Sequence, residues 1–248
     1  MDKLIYTAAS GMKGHMASQA AIANNMANIS TIGFRADRAV FDRLAVSGPG
    51  FDTRQPTSEE VIDADRKPGV INHTGRPLDV AVLGESWIAV QAADGTEAYT
   101  RRGDLEITAT GVLQTGDGHP VIGQNGPITL PPAQRISIGP DGSIQIVPLG
   151  ADPAAPPQTI DQIKLASTQG SDTVKGLDNL LYVRGGGILP TDAEAKLQSG
   201  AVEGSNVNMA QVLIDMITNQ REYEVQANLV KEAKKMDEST ASLMRLPS

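Results

Sequence analysis

The chain has 248 residues, 40 % hydrophobic and only 3 % aromatic, so any core must rest on Ile, Val, Leu, Met and Ala. That length suits one large domain or two modest ones. A formal net charge of −8 argues against nucleic acid as a partner, because phosphate binding needs a basic surface. The lack of any cysteine excludes disulfides, zinc–thiolate sites and thiol catalysis.

The N-terminus, Met1-Asp2-Lys3-Leu4-Ile5-Tyr6, shows no basic stretch followed by an apolar one, so a Sec signal peptide is not expected. No window approaches ~18 consecutive apolar residues, so membrane insertion is not expected either. From Met1 onward, Ile5, Ala8, Met12, His15, Gln19, Ile22, Met26 and Ile29 alternate spacings of four and three, a heptad seam with two polar residues in its middle. Gly33 follows where a left-handed residue would end the helix, and Phe34 is expected to fold back as an apolar contact behind it. On this view Gly33→Val should leave the rest of the protein folded.

Residues 47–69 are rich in Gly, Pro, Thr and charge and read as a connector. The pattern then changes to period two. Leu78, Val80 and Val82 alternate with smaller or polar residues, and so do Ile88, Val90 and Ala92. Asp94-Gly95 is a hairpin turn, with the return strand at Glu97 to Arg101. Further short strands are expected at Leu105–Ile107, Val112–Gln114, Ile163–Ala166 and Leu180–Val183. Ile136 and Ile138 should pair with Ile144 and Ile146 across Gly139-Pro140-Asp141-Gly142. Pro148 to Pro157 reads as a surface loop.

Heptad spacing returns at Met209, Leu213, Met216, Gln220, Tyr223, Ala227 and Val230, and continues weakly through Lys234, Asp237, Ala241 and Met244. Ser205 or Asn206 is the expected N-cap. A helix of ~40 residues would run ~60 Å, more than one small domain can cover. The expected fold class is α+β. The two terminal helices should pair as an antiparallel coiled-coil-like domain, and the middle should form an antiparallel all-β domain. The expected divisions are residues 1–33, an extended segment 34–70, the β domain 71–204, and residues 205–248. Each seam is too narrow for burial in a globular core, which suits pairing of the helices with each other and with copies of themselves.

Chemistry-bearing patterns are sparse. His15, His73 and His119 have no metal-ligand spacing, and His15 reads as a polar register residue in the seam. Ser86 lacks the second glycine of a nucleophile elbow. Neither Gly116-Asp117-Gly118 nor Gly185-Gly186-Gly187 has the form of a phosphate loop. No catalytic, cofactor-binding or metal residue is assigned, and no small-molecule substrate is expected. An enzyme of the cell wall space would need paired carboxylates in a cleft of the β domain.

The stretch from Ala23 to Arg35, with Asn24, Asn25, Asn28, Thr31, Gly33 and Phe34, resembles the N-terminal signature of the flagellar rod and hook family. Ser205-Asn206-Val207-Asn208, Met216-Ile217 and Gln220-Arg221-Glu222-Tyr223-Glu224 resemble its C-terminal signature. Arg76-Pro77-Leu78-Asp79-Val80-Ala81 and Tyr99-Thr100-Arg101 resemble its β domain. Two places depart from the pattern: Ile32, and Ser86-Trp87-Ile88, where relatives usually show Gly-Phe-Phe.

The resemblance implies a structural subunit of the basal-body rod that assembles with copies of itself and other rod proteins. Length and opening residues fit the proximal rod, with the distal rod as the alternative. It also implies export by the flagellar type III apparatus without cleavage, and an inner helical domain with the β domain outside. The expected self-assembly positions are Ile5, Ala8, Met12, Ile22, Met26 and Ile29, with Leu213, Met216, Tyr223, Ala227 and Val230.

Overall fold

The computed structural model describes residues 2–43, 57–150 and 156–244. Helix α1 spans Asp2–Ala27 and helix α2 spans Met209–Met244, with sixteen short strands among the described residues between them. The class is therefore α+β. The chain divides into two compact units. One takes in Met1–Ala27, Asp37–Asp63 and Asn208–Ser248, and the other Asn28–Ala36 and Ala64–Val207.

The β unit is antiparallel throughout its paired strands, and its hairpins follow from local turn chemistry. Strands Trp87–Gln91 and Glu97–Thr100 pair across Asp94-Gly95, where Gly95 has φ 84° and Asp94 accepts from the Thr96 amide. Ile144 faces Ile138 and Ile146 faces Ile136. The Asp141 carboxylate accepts the Ser143 amide, which holds that turn as Asx turns do. Leu165–Ala166 and Leu181–Val183 complete the central sheet around the first hairpin, with Thr173–Lys175 at its edge.

Side chains alternate across a strand, so a central strand can feed two cores. Ile88 and Val90 enter the larger one with Val80, Leu105, Leu113 and Ile144. Trp87 and Ala89 enter a smaller one with Tyr99, Ala166, Leu181 and Leu189. The Tyr99 hydroxyl donates to Glu97 and accepts from the Leu189 amide. Burial, reinforced by Glu97, pushes its phenol well above the ordinary range, and burial with Asp178 does the same to Tyr182. In an alkaline titration followed by tyrosinate absorbance, these two tyrosines should stay protonated after those of the denatured chain have ionised near pH ~10. Their raised values contribute stability that is full below that pH and lost as pH climbs through the folded values. Ionisation of all four tyrosines together at pH ~10 in the folded protein would contradict this packing.

Where the unit begins and ends, Ile71–His73 pairs with Ala201–Glu203, and Val80–Leu83 with Lys196–Ser199. Entry and exit of the chain thus lie side by side.

Three expectations need correction. The connector at residues 47–69 is not all loop: Thr57–Ala64 is a strand paired with Asp37–Arg43, while residues 44–56 lie outside the described residues. Helix α1 ends at Ala27, six positions before Gly33, because Asn28 and Thr31 close a turn there. Helix α2 is capped by Asn208, whose side chain accepts from the amides of Ala210 and Gln211. Ser205 and Asn206 are not available as caps. The Asn206 carboxamide is engaged with the Ala36 amide and the carbonyls of Asp65 and Lys67.

Candidate functional site

Two places concentrate the residues singled out by sequence: the facing surfaces of α1 and α2, and the root of the β unit around Gly33.

On α1, Ile22 is buried, Ala8 and Met12 are half-buried, and Met26 is exposed; Ile29, half-buried, lies in the turn past the helix end, and the Ile5 side chain lies outside the described residues. Asn25 is buried where Met26 was expected. Its carboxamide accepts the Asp37 amide at 2.7 Å and donates to the Asp37 carbonyl at 3.0 Å, as a neighbouring strand would. Asn24 donates to the Asp37 carboxylate. The Asn-Asn pair is thus a backbone clamp.

On α2 the inward positions are Val212, Met216, Asn219, Tyr223, Gln226, Val230 and Ala233, again spaced four and three. Ala227 is half-buried and Leu213 is 45 % exposed. Two heptad registers share Met216, Tyr223 and Val230. The polar residues decide between them. Asn219 reaches His15 and Gln19, and Gln226 reaches His15, so Val212, Asn219 and Gln226 turn inward rather than Leu213 and Gln220. Gln226 lies against Gly11 and Asn219 against Gln19, so the two helices run in opposite directions. The facing surface leaves Leu213, Ile214, Ile217, Val225 and Leu229 exposed on α2.

At the root of the β unit, Gly33 has φ 68° and its amide donates to the Glu203 carbonyl at 2.7 Å. A Cβ there would overlap the backbone of Arg101 and Arg102. Phe34 is buried with the Lys175 ammonium 3.8 Å above its ring, and that ammonium donates to the Arg35 carbonyl. Beneath lies a buried ionic cluster. The Glu203 carboxylate meets Arg35 at 2.7 Å and Arg101 at 3.3 Å and accepts the Gly69 amide. Arg35 donates to the carbonyls of Arg66 and Lys67, and Arg101 to those of Val82 and Gly84. Both guanidiniums lie over the Trp87 ring, at 5.7 and 5.6 Å from its centre, within cation–π range. That gives a physical role to the tryptophan that departs from the family pattern. Burial lowers the Arg101 pKa to about 10 despite Glu203, and lowers that of Arg35 as well.

This cluster escaped the sequence reading because its members lie on segments far apart in the chain. Arg35 and Arg101 each lie within a family-like motif, yet nothing in either motif points to Glu203.

A cavity of about 830 Å³ in the β unit is lined by Glu97, Asp141, Lys164 and Asp192 among others. Each carboxylate there is committed to the fold. Glu97 pairs with Lys164 at 2.6 Å, Asp141 holds its turn, and Asp192 accepts from Ser86. Among the described residues no cluster of His, Cys, Asp or Glu could hold a metal ion, and no helix is long and apolar enough to cross a membrane.

Two long terminal helices run antiparallel, and the β unit that lies between them in sequence begins and ends at one place. Three family models match: flagella basal body rod protein over residues 5–35, flagellar hook protein FlgE/F/G D1 domain over 81–146, and flagellar basal body rod FlgEFG protein C-terminal over 198–243. The chain is 38 % identical to the flagellar basal-body rod protein FlgF of Salmonella typhimurium and 39 % identical to that of Escherichia coli. In both cases 93 % of each chain is covered. It is 30 % identical to the rod protein FlgG of Bacillus subtilis, over 99 % of this chain and all of that one. The chain belongs to the flagellar rod and hook protein family and is a structural subunit of the flagellar basal-body rod.

Proposed function

We propose that this subunit occupies the proximal rod, in the place of the FlgF relatives rather than that of FlgG, and helps carry motor torque to hook and filament. The observation that carries this is 38–39 % identity to FlgF proteins along 93 % of both chains, against 30 % for the FlgG of Bacillus subtilis. Assembly proceeds through the terminal helices, paired as a coiled-coil-like domain and packed against copies and other rod proteins. In support, the apolar stripe Leu213, Ile214, Ile217, Val225 and Leu229 stays uncovered by α1. The route to the rod is the flagellar type III export apparatus. Purified basal bodies from cells lacking the subunit should contain no distal rod; an intact distal rod would sink the proximal assignment.

The seam is tested separately. Met216→Asp places a carboxylate on the half-buried face of α2. The variant should be exported and fail to enter the rod, abolishing swimming, since a charge lacking a partner in a packed seam is strongly unfavourable. Normal motility would remove Met216 from the interface.

A further inference from the structure

The α1–α2 seam contains a polar layer that its apolar neighbours do not require. The His15 Nδ1 lies 2.9 Å from the Asn219 Oδ1, and a carboxamide oxygen can only accept, so Nδ1 carries the proton. The Asn219 amide donates to the His15 carbonyl at 3.0 Å and to the Gln19 side chain at 2.8 Å. The Gln226 amide faces the other ring nitrogen at 3.4 Å, and the Glu222 carboxylate lies 3.6 Å from the first. Gly11 completes the layer. A Cβ at this mid-helix glycine would run into the Gln226 side chain, so Gly11 forms the socket that admits it. A glycine inside a helix costs about 0.5–1 kcal/mol relative to Ala, so its presence calls for such a reason.

Slipping α2 by one heptad would exchange Met216, Tyr223 and Val230 among equivalent positions with little loss of apolar contact. The polar layer would not survive it. One direction sets Val212 opposite His15 and Gln19; the other sets Ala233 in the Gly11 socket. Either slip parts the buried Asn219 from its half-buried partners His15 and Gln19, which costs more than a made hydrogen bond returns.

We infer that His15, Gln19, Asn219 and Gln226, with Gly11 as socket, fix the register of α1 on α2 and so set the axial position at which α2 offers its apolar stripe to its neighbours. This rests on the helix pairing proposed above. A polar layer of this kind trades stability for a single register.

Spin labels on Ala20→Cys and Lys231→Cys test it in the full chain, whose lack of native cysteine makes labelling specific. Both positions are exposed. With the native layer, one narrow interspin distance is expected. With His15→Leu, Asn219→Leu and Gln226→Leu combined, a second population should appear, displaced along the helices by ~10 Å, one heptad of rise. A single unshifted distance in that variant would overturn the inference. So would loss of any defined distance, since an apolar seam that lost only its register device must still pair. A native layer with no defined distance would instead overturn the pairing itself, and the inference with it.

Discussion

Replacing Glu203 by Ala should cost the β unit about 3–5 kcal/mol, the range for breaking a buried ion pair from one side. Glu203 is 1 % exposed and meets two buried arginines, Arg35 at 2.7 Å and Arg101 at 3.3 Å. Without it, the two buried guanidiniums beside Trp87 lose the carboxylate they share. Burial already disfavours their charged forms, which is why Arg101 is held at about 10. The loss would consume a large share of the roughly 5–15 kcal/mol that holds a domain folded. Urea denaturation should show the midpoint fall with little change in slope. Replacing all three ionic residues together, as Arg35→Met, Arg101→Met and Glu203→Leu, should cost far less than the single change. Desolvating the cluster offsets most of its attraction, so removing both signs leaves mainly the loss of the hydrogen bonds from Arg35 and Arg101 to backbone carbonyls. If Glu203→Ala unfolds at the native urea concentration, the cluster does not hold the root of the β unit.

The second large effect is at Gly33. By sequence alone, Gly33→Val is a change at a helix end in another part of the fold, and the β domain should stay intact. The structure reverses this. Gly33 belongs to the β unit, its amide is bonded to the Glu203 carbonyl, and a Cβ would meet the Arg101–Arg102 backbone. A left-handed conformation alone costs a side chain about 1–2 kcal/mol. Overlap with backbone, which cannot swing aside as a side chain can, should raise the total above ~2 kcal/mol. Gly75 supplies the control. Its φ is 75°, and nothing lies near its Cβ position. Gly75→Ala should show the conformational cost alone, and Gly33→Ala clearly more. Equal shifts in urea midpoint would mean that the close approach at Gly33 carries no weight.

Local chemistry made part of this fold legible. The Asp94-Gly95 and Pro140–Gly142 turns stated their hairpins outright, and the register of Ile136 to Ile146 follows from alternation across the second. The terminal helices were legible from heptad spacing. Their inward faces were only half so. Met216, Tyr223 and Val230 fit two registers, and apolarity favoured Leu213 over Asn219 where hydrogen bonding to His15 and Gln19 decides otherwise. Likewise Asn25, not Met26, turns inward, because it supplies the backbone partners of Asp37. The strand at Thr57–Ala64 was hidden by the Pro- and Gly-rich sequence before it. The ionic cluster was hidden by distance along the chain: a buried charge is recognisable only once its partner is known.

These polar side chains also explain what the family-like motifs do here. Asn25 and Asn206 each serve as a partner strand for a short piece of backbone, at Asp37 and Ala36. Gly33 permits a close chain crossing, and Arg35 enters the ionic cluster. In this chain the signature residues at both ends therefore fasten the chain where it leaves and re-enters its units.

On the function proposed here, this subunit builds the rod through its terminal helices. Electron cryomicroscopy of basal bodies purified from cells carrying it tests this most directly. The density should show α1 and α2 in the rod wall, opposed to one another in the His15–Asn219 register, with Leu213, Ile217 and Leu229 packed on helices of neighbouring subunits. A rod in which those residues face solvent, with subunits joined through other surfaces, would contradict it.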